Sequence, residues 1–156
     1  MTGRILVVDD QRAPSELLAG ILQARGYEVS IAASGEAALE AVRGAGPDLV
    51  IADIRMPGMD GYELCRRLRA QADTALLPLI LITSLEAVDE RVRGLEAGAD
   101  DFLSKPINWE ELFARVRSLL RTKRLQDEIR ALNAALEERV RRQVAELEQL
   151  GRLKRF

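Results

Sequence analysis

The stretch DLVIADIRMPGMDGYEL, residues 48–64, decides how this chain folds. Leu49–Ala52 is a short run of apolar residues, two of them β-branched, closing on Asp53. Such a run is too short for a helix and reads as a strand buried on both faces. The turn-rich segment Met56-Pro57-Gly58-Met59-Asp60-Gly61 follows, and Tyr62–Ala70 then carries a helical pattern. A buried strand therefore delivers a carboxylate at its carboxyl end, directly before a turn and a helix.

The same unit repeats on both sides. Ile5–Val8 is a β-branched run ending in Asp9-Asp10, followed by a helical spacing over Ser15–Arg25 that stops at Gly26. Glu28–Ala32 reads as a strand and Gly35–Arg43 as a helix ended by Gly44-Ala45-Gly46-Pro47. Leu79–Ile82 is a third apolar strand, closing on Thr83-Ser84, with a helix over Glu86–Ala97. Phe102–Ser104 is a last short strand before Lys105-Pro106, and Trp109–Lys123 is a fifth amphipathic helix. Strict β/α alternation with doubly apolar strands predicts an α/β fold, a doubly wound five-stranded parallel sheet covered by helices on each face. Sites in such sheets lie at the carboxyl ends of the strands.

Composition narrows the chemistry. With 156 residues, 47% of them hydrophobic, the chain suits one compact domain with a core. No apolar run approaches the roughly 20 residues that span a bilayer, and the N-terminus lacks a secretory pattern. A single cysteine, Cys65, forms no internal disulfide, so a cytoplasmic protein is expected. There is no histidine, which removes Ser-His-Asp and Cys-His catalysis and histidine metal ligation from this chain. Residues 1–108 carry 11 basic and 17 acidic side chains, and residues 109–156 carry 12 and 8. The basic and acidic residues of that last third are interleaved, as on a solvated helix, so direct nucleic-acid binding is not expected.

Asp9-Asp10, Asp53, Thr83-Ser84 and Lys105 all stand where strands end, so the sheet brings them to one edge. Three carboxylates meeting there repel one another unless a cation joins them, and an all-oxygen donor set favours Mg²⁺. A lysine and a hydroxyl complete a pocket for a phosphoryl group, with Asp53 as the candidate nucleophile.

Over residues 3 to about 121 the chain resembles the receiver domain of two-component response regulators, through ILVVDD, DLVIADIRMPGMDGYEL, LILITS and GADDFLSKP. The resemblance implies a flavodoxin-like sheet of order 2-1-3-4-5. It implies that Asp10 ligates Mg²⁺ directly, that Asp9 acts largely through water, and that the backbone carbonyl of Arg55 completes the metal site. Asp53 would then accept a phosphoryl group from the phosphohistidine of a sensor histidine kinase. Lys105 would pair with the phosphoryl oxygens, Thr83, beside Ser84, would move to bond them, and Phe102 would be the switching aromatic. For Phe102 the plain alternative is packing between the last strand and the fourth helix. The family varies at Arg55, and its aromatic is often tyrosine where this chain has Phe102. The resemblance implies no enzyme beyond self-catalysed transfer to Asp53. A phosphatase of the haloacid dehalogenase type also uses an aspartate and Mg²⁺, but has a second aspartate two residues on, where this chain has Arg55 after Asp53 and Gln11 after Asp9. A scaffold acting through its C-terminal helix alone is the other alternative, and the complete pocket argues against it.

No glycine or proline interrupts the chain between Trp109 and Gly151. A helix over 109–150 would be about 60 Å long, more than one domain can cover. Leu125, Ile129, Leu132, Leu136, Val140, Val144, Leu147 and Leu150 follow one another at spacings of 4, 3, 4, 4, 4, 3 and 3. That is close to a coiled-coil seam with a stutter, and it predicts a parallel homodimer. Glu137 with Arg141, and Glu138 with Arg142, form i,i+4 pairs in the favourable order. The stretch LEERVRRQVAELEQLGRLKRF resembles the linker that precedes class III nucleotide cyclase output domains. The expected organisation is a receiver over 1–121, a coiled-coil helix over 122–150, and residues 151–156 leading into an output domain.

Overall fold

The computed structural model describes residues 3–44, 46–84 and 88–153. In chain order the elements are β1 (Arg4–Val8), α1 (Arg12–Ala24), β2 (Glu28–Ala32), α2 (Gly35–Ala41), β3 (Leu49–Asp53), α3 (Gly61–Ala70), β4 (Leu79–Thr83), α4 (Val88–Glu96), β5 (Asp101–Ser104) and α5 (Trp109–Leu153). All neighbouring strands are parallel, in the order β2-β1-β3-β4-β5. The three strands read as apolar on both faces, β1, β3 and β4, occupy the centre, and the more polar β2 and β5 form the edges.

Side chains alternate across the sheet, so each central strand feeds two cores. Leu6, Val8, Val50, Ala52, Leu79 and Leu81 face one way, against Ala38 of α2 and Tyr62, Leu64, Cys65 and Leu68 of α3. Ile5, Val7, Leu49, Ile51, Ile80 and Ile82 face the other way, against Leu18 and Leu22 of α1 and Leu112, Phe113, Val116 and Leu120 of α5. Fully burying each Val, Leu, Ile or Phe among them stabilises the fold by about 1.5–3 kcal/mol.

Polar side chains start two of the helices. Ser34 accepts from the Ala37 amide at 3.1 Å ahead of α2, and Asp60 accepts from the Glu63 amide at 2.8 Å ahead of α3. A Cβ on Gly61 would lie 2.7 Å from the carbonyl oxygen of Asp53. Glycine there lets the start of α3 sit directly on the end of β3.

Several boundaries differ from the sequence expectation; α2, for one, ends at Ala41 rather than Arg43. Helix α1 begins at Arg12 rather than Ser15, because Pro14 falls in its first turn, where its missing N–H costs nothing. Helix α4 spans Val88–Glu96, and residues 86 and 87 of its expected range lie outside the described residues. Helix α5 does not stop at Gly151 but continues to Leu153. A single glycine costs a helix only about 1 kcal/mol.

The chain divides into two compact units, Met1–Lys123 and Arg124–Phe156. The first holds the sheet and both cores. The second is helical over its described residues, and its apolar side chains Leu125, Ile129, Leu132, Leu136, Val140, Val144, Leu147 and Leu150 are 47–67% exposed. The expected ion pairs Glu137–Arg141 and Glu138–Arg142 form there, at 3.9 and 3.4 Å. No helix among the described residues is long and apolar enough to cross a membrane.

Candidate functional site

The parallel register carries four strand ends to one edge of the sheet. Val8 of β1 pairs with Ala52 of β3, Asp53 with Ile82 of β4, and Thr83 with Ser104 of β5. Asp9, Asp53, Thr83 and Lys105 therefore converge although they are up to 96 residues apart in sequence. Asp9, Asp10 and Asp53 each offer a carboxylate oxygen, and these oxygens all lie within 4.8 Å of one another.

The three carboxylates differ in environment. Asp9 is buried, Asp53 half-buried and Asp10 exposed. Burial pushes the Asp9 carboxyl above its ordinary pKa, the backbone hydrogen bond from Gln11 at 3.0 Å opposes this, and the charge of Asp53 adds to the rise. Lys105 pulls in the lowering direction and Asp10 in the raising one. Concentrated negative charge of this kind, made wholly of oxygen donors, is what a hard divalent cation neutralises.

Asp53 is held from two sides. Its Oδ1 accepts from the Arg55 amide at 3.3 Å, and its Oδ2 lies 3.6 Å from Nζ of Lys105. The lysine is fixed through its backbone, whose amide donates to the Thr83 carbonyl at 2.7 Å, and it precedes a cis peptide bond to Pro106. Thr83 is fully buried at the end of β4, and Ser84 after it is exposed. The Arg55 side chain is exposed, and Phe102 is buried beneath α4. Asp9, Asp10, the Arg55 amide and Lys105 lie around Asp53, Thr83 ends the neighbouring strand β4 with Ser84 after it, and Phe102 packs in the core of the α3 face.

One feature was not readable from sequence. A cavity of about 270 Å³ adjoins Asp9, Asp53 and Lys105, with walls from Pro14, Leu17 and Leu18 of α1 and from Pro106, Ile107 and Trp109. In the sequence Leu17 and Leu18 have ordinary helical spacing, and only the packing of α1 beside the β5–α5 connection makes them walls of a chamber next to the carboxylates.

Comparison with known proteins agrees with this fold. The family model for the response regulator receiver domain matches residues 5–117. Response regulator PleD of Caulobacter vibrioides is 48% identical over 135 residues, 86% of this chain and 30% of that protein. Response regulator MprA of Mycobacterium ulcerans is 47% identical over 136 residues, 87% of this chain and 58% of that protein. The chain thus spans between about a third and three fifths of the length of these relatives. Among solved structures, a putative response regulator from Chloroflexus aurantiacus superposes with a TM-score of 0.74 at 40% identity, covering 78% of this chain and 99% of that one. NtrX of Brucella abortus superposes with a TM-score of 0.75 at 33% identity, over 83% of this chain and 29% of its own.

Proposed function

The chain belongs to the response regulator receiver domain family, and from that membership we propose that Asp53 is its phosphoacceptor and that Mg²⁺ is held by Asp9, Asp10, Asp53 and the backbone carbonyl of Arg55. The observation that carries the proposal is the meeting of three carboxylates within 4.8 Å, with Lys105 at 3.6 Å from Asp53. As a receiver, the chain works in two-component signalling, and the donor is the phosphohistidine of a sensor histidine kinase.

A carboxylate oxygen of Asp53 attacks phosphorus, the phosphorus–nitrogen bond of the donor breaks with its electron pair kept by nitrogen, and an aspartyl phosphate forms. Bound Mg²⁺ supplies positive charge against the anionic phosphoryl group. The Arg55 amide fixes one carboxylate oxygen of Asp53 and so orients the other. Lys105 exchanges its pairing with Asp53 for the phosphoryl oxygens, and the hydroxyls of Thr83 and Ser84 offer directed hydrogen bonds. Phosphoryl transfer needs little more than this positioning and charge.

Phosphorylation then shifts an equilibrium of the Thr83/Phe102 surface with α4 and α5. Leu125, Ile129, Leu132, Leu136, Val140, Val144, Leu147 and Leu150 form the seam of a parallel homodimer, through which the shift reaches an output domain. The likeness of the C-terminal stretch to cyclase linkers makes a nucleotide cyclase the first output to test. The supporting observation for the seam is its exposure, since half-exposed leucines recurring along a helix are covered by a matching stripe.

Calorimetric titration tests the site. Mg²⁺ binding is expected in the wild type and its loss in Asp10→Asn, with beryllofluoride uptake lost in Asp53→Asn. Mg²⁺ binding that survives Asp10→Asn unchanged would contradict the ligand assignment.

A further inference from the structure

Helix α4 is attached to the domain in an unusual way. Of residues 91–96, only Gly94 is buried, while the apolar Val92 and Leu95 are 47% and 55% exposed. An amphipathic helix ordinarily turns such residues inward. Over these described residues the inward contact is at the Gly94 backbone. A Cβ on Gly94 would lie 3.0 Å from Cδ2 of Phe102 and 3.4 Å from Cδ1 of Leu81, so the helix rests on the aromatic ring itself.

Two arginines flank that seat. The guanidinium of Arg91 lies 5.8 Å from the centroid of the Phe102 ring, and that of Arg93 lies 4.7 Å from the centroid of Tyr62 on α3. Both distances fall within the range where a cation is attracted to the face of an aromatic ring. Phe102 is thus enclosed by Leu81 and Gly94 on its packed side and covered by a cation on its outer side.

We propose that Arg91 is a positioning residue for Phe102, its guanidinium holding the ring under α4 against Gly94 and so setting the balance between inward and outward ring placements. The proposal rests on the reading of Phe102 as part of the switch. It adds that the balance is tuned from α4 by a cation–π contact. Because phenylalanine has no hydroxyl, the ring has no polar anchor of its own, and the cation supplies the direction that a hydrogen bond would give a tyrosine.

The test places para-fluorophenylalanine at position 102 of the full chain and follows its fluorine resonance, with and without Mg²⁺ and beryllofluoride. Arg91→Met keeps an apolar stem of similar reach and removes the charge, whereas Arg91→Lys keeps the charge. The inward-to-outward ratio is expected to fall about two- to fivefold in Arg91→Met, the range of an exposed cation–π contact, and to recover in part in Arg91→Lys. The concentration of beryllofluoride at half response rises in the same order. Arg93→Met, on the Tyr62 side, leaves the resonance in place and serves as the control for general loosening of α4. A spectrum and a half-response unchanged in Arg91→Met, or moved equally by Arg93→Met, would overturn the proposal. Failure of the phosphoacceptor reading looks different: beryllofluoride then moves the resonance in no protein, the wild type included, while the ring ratio still responds to Arg91.

Discussion

Nζ of Lys105 stands 3.6 Å from Oδ2 of Asp53, tying the end of β5 to the end of β3. That separation is an ion pair rather than a close hydrogen bond, so the lysine can exchange partners without losing a tight contact. Lys105→Met is expected to weaken beryllofluoride binding roughly ten- to hundredfold, the loss of one charge-assisted bond of about 1.5–3 kcal/mol. Mg²⁺ binding should survive, since the lysine is not a ligand. Titration calorimetry separates the two effects, and equal loss of both would show that Lys105 instead supports the shape of the pocket.

Asp9 is expected to destabilise the metal-free protein at neutral pH. Its folded pKa is raised above the ordinary value of 3.8 mainly by burial. The folded chain therefore holds that proton more tightly than the unfolded chain. Stability contributed by this group is highest below 3.8 and is lost as pH rises through the raised folded value. Asp9→Asn should raise the melting temperature without Mg²⁺ and flatten its dependence on pH across that window. Mg²⁺ should stabilise the wild type more than the variant. Thermal scans at several pH values check both directions.

Arg69 links α3 to the segment before β4 and to the connection between α4 and β5. It donates to the carbonyls of Gly98 at 2.8 Å and Leu77, and to Oδ2 of Asp100 at 2.8 Å, an oxygen that also accepts from the Leu79 amide. The guanidinium side chain is only 19% exposed. Arg69→Ala should therefore cost about 2–3 kcal/mol in denaturant unfolding, because the part-buried carbonyl bonds of Gly98 and Leu77 lose a charged partner. Arg69→Lys should recover little, since a single ammonium cannot serve three acceptors in different directions.

The seam of α5 predicts a change of assembly without a change of chemistry. Leu136→Lys should convert a dimer to a monomer in light scattering, by placing charge in the middle of the apolar stripe. Modification of Asp53 should proceed as in the wild type. A dimer that survives both Leu136→Lys and Val140→Lys would mean that another surface joins the two copies.

The centre of the fold was legible because its strands are almost wholly apolar. Ile5–Val8, Leu49–Ala52 and Leu79–Ile82 admit hardly any place but the middle of a covered sheet, and each is followed by a residue of the site. The strand order was reached only through the resemblance, since alternation alone does not fix which strand neighbours which. The start of α1 at Arg12 was not legible because its apolar spacing begins only at Leu17, whereas a first-turn proline such as Pro14 is accommodated. The cavity beside Asp53 and the clamp at Arg69 had no signal at all. Both depend on groups far apart in sequence, and a leucine at helical spacing reads the same whether it fills a core or lines a chamber. The contacts of Arg91 and Arg93 with Phe102 and Tyr62 likewise depend on packing between separate elements and carry no mark in the sequence.

The most direct measurement is the intact mass of the full chain after incubation with Mg²⁺ and acetyl phosphate, comparing wild type with Asp53→Asn. The account predicts one added phosphate that requires Mg²⁺, is absent in Asp53→Asn, and is lost on treatment with hydroxylamine as an acyl phosphate should be. A phosphate retained by Asp53→Asn, or one gained equally without Mg²⁺, would contradict it.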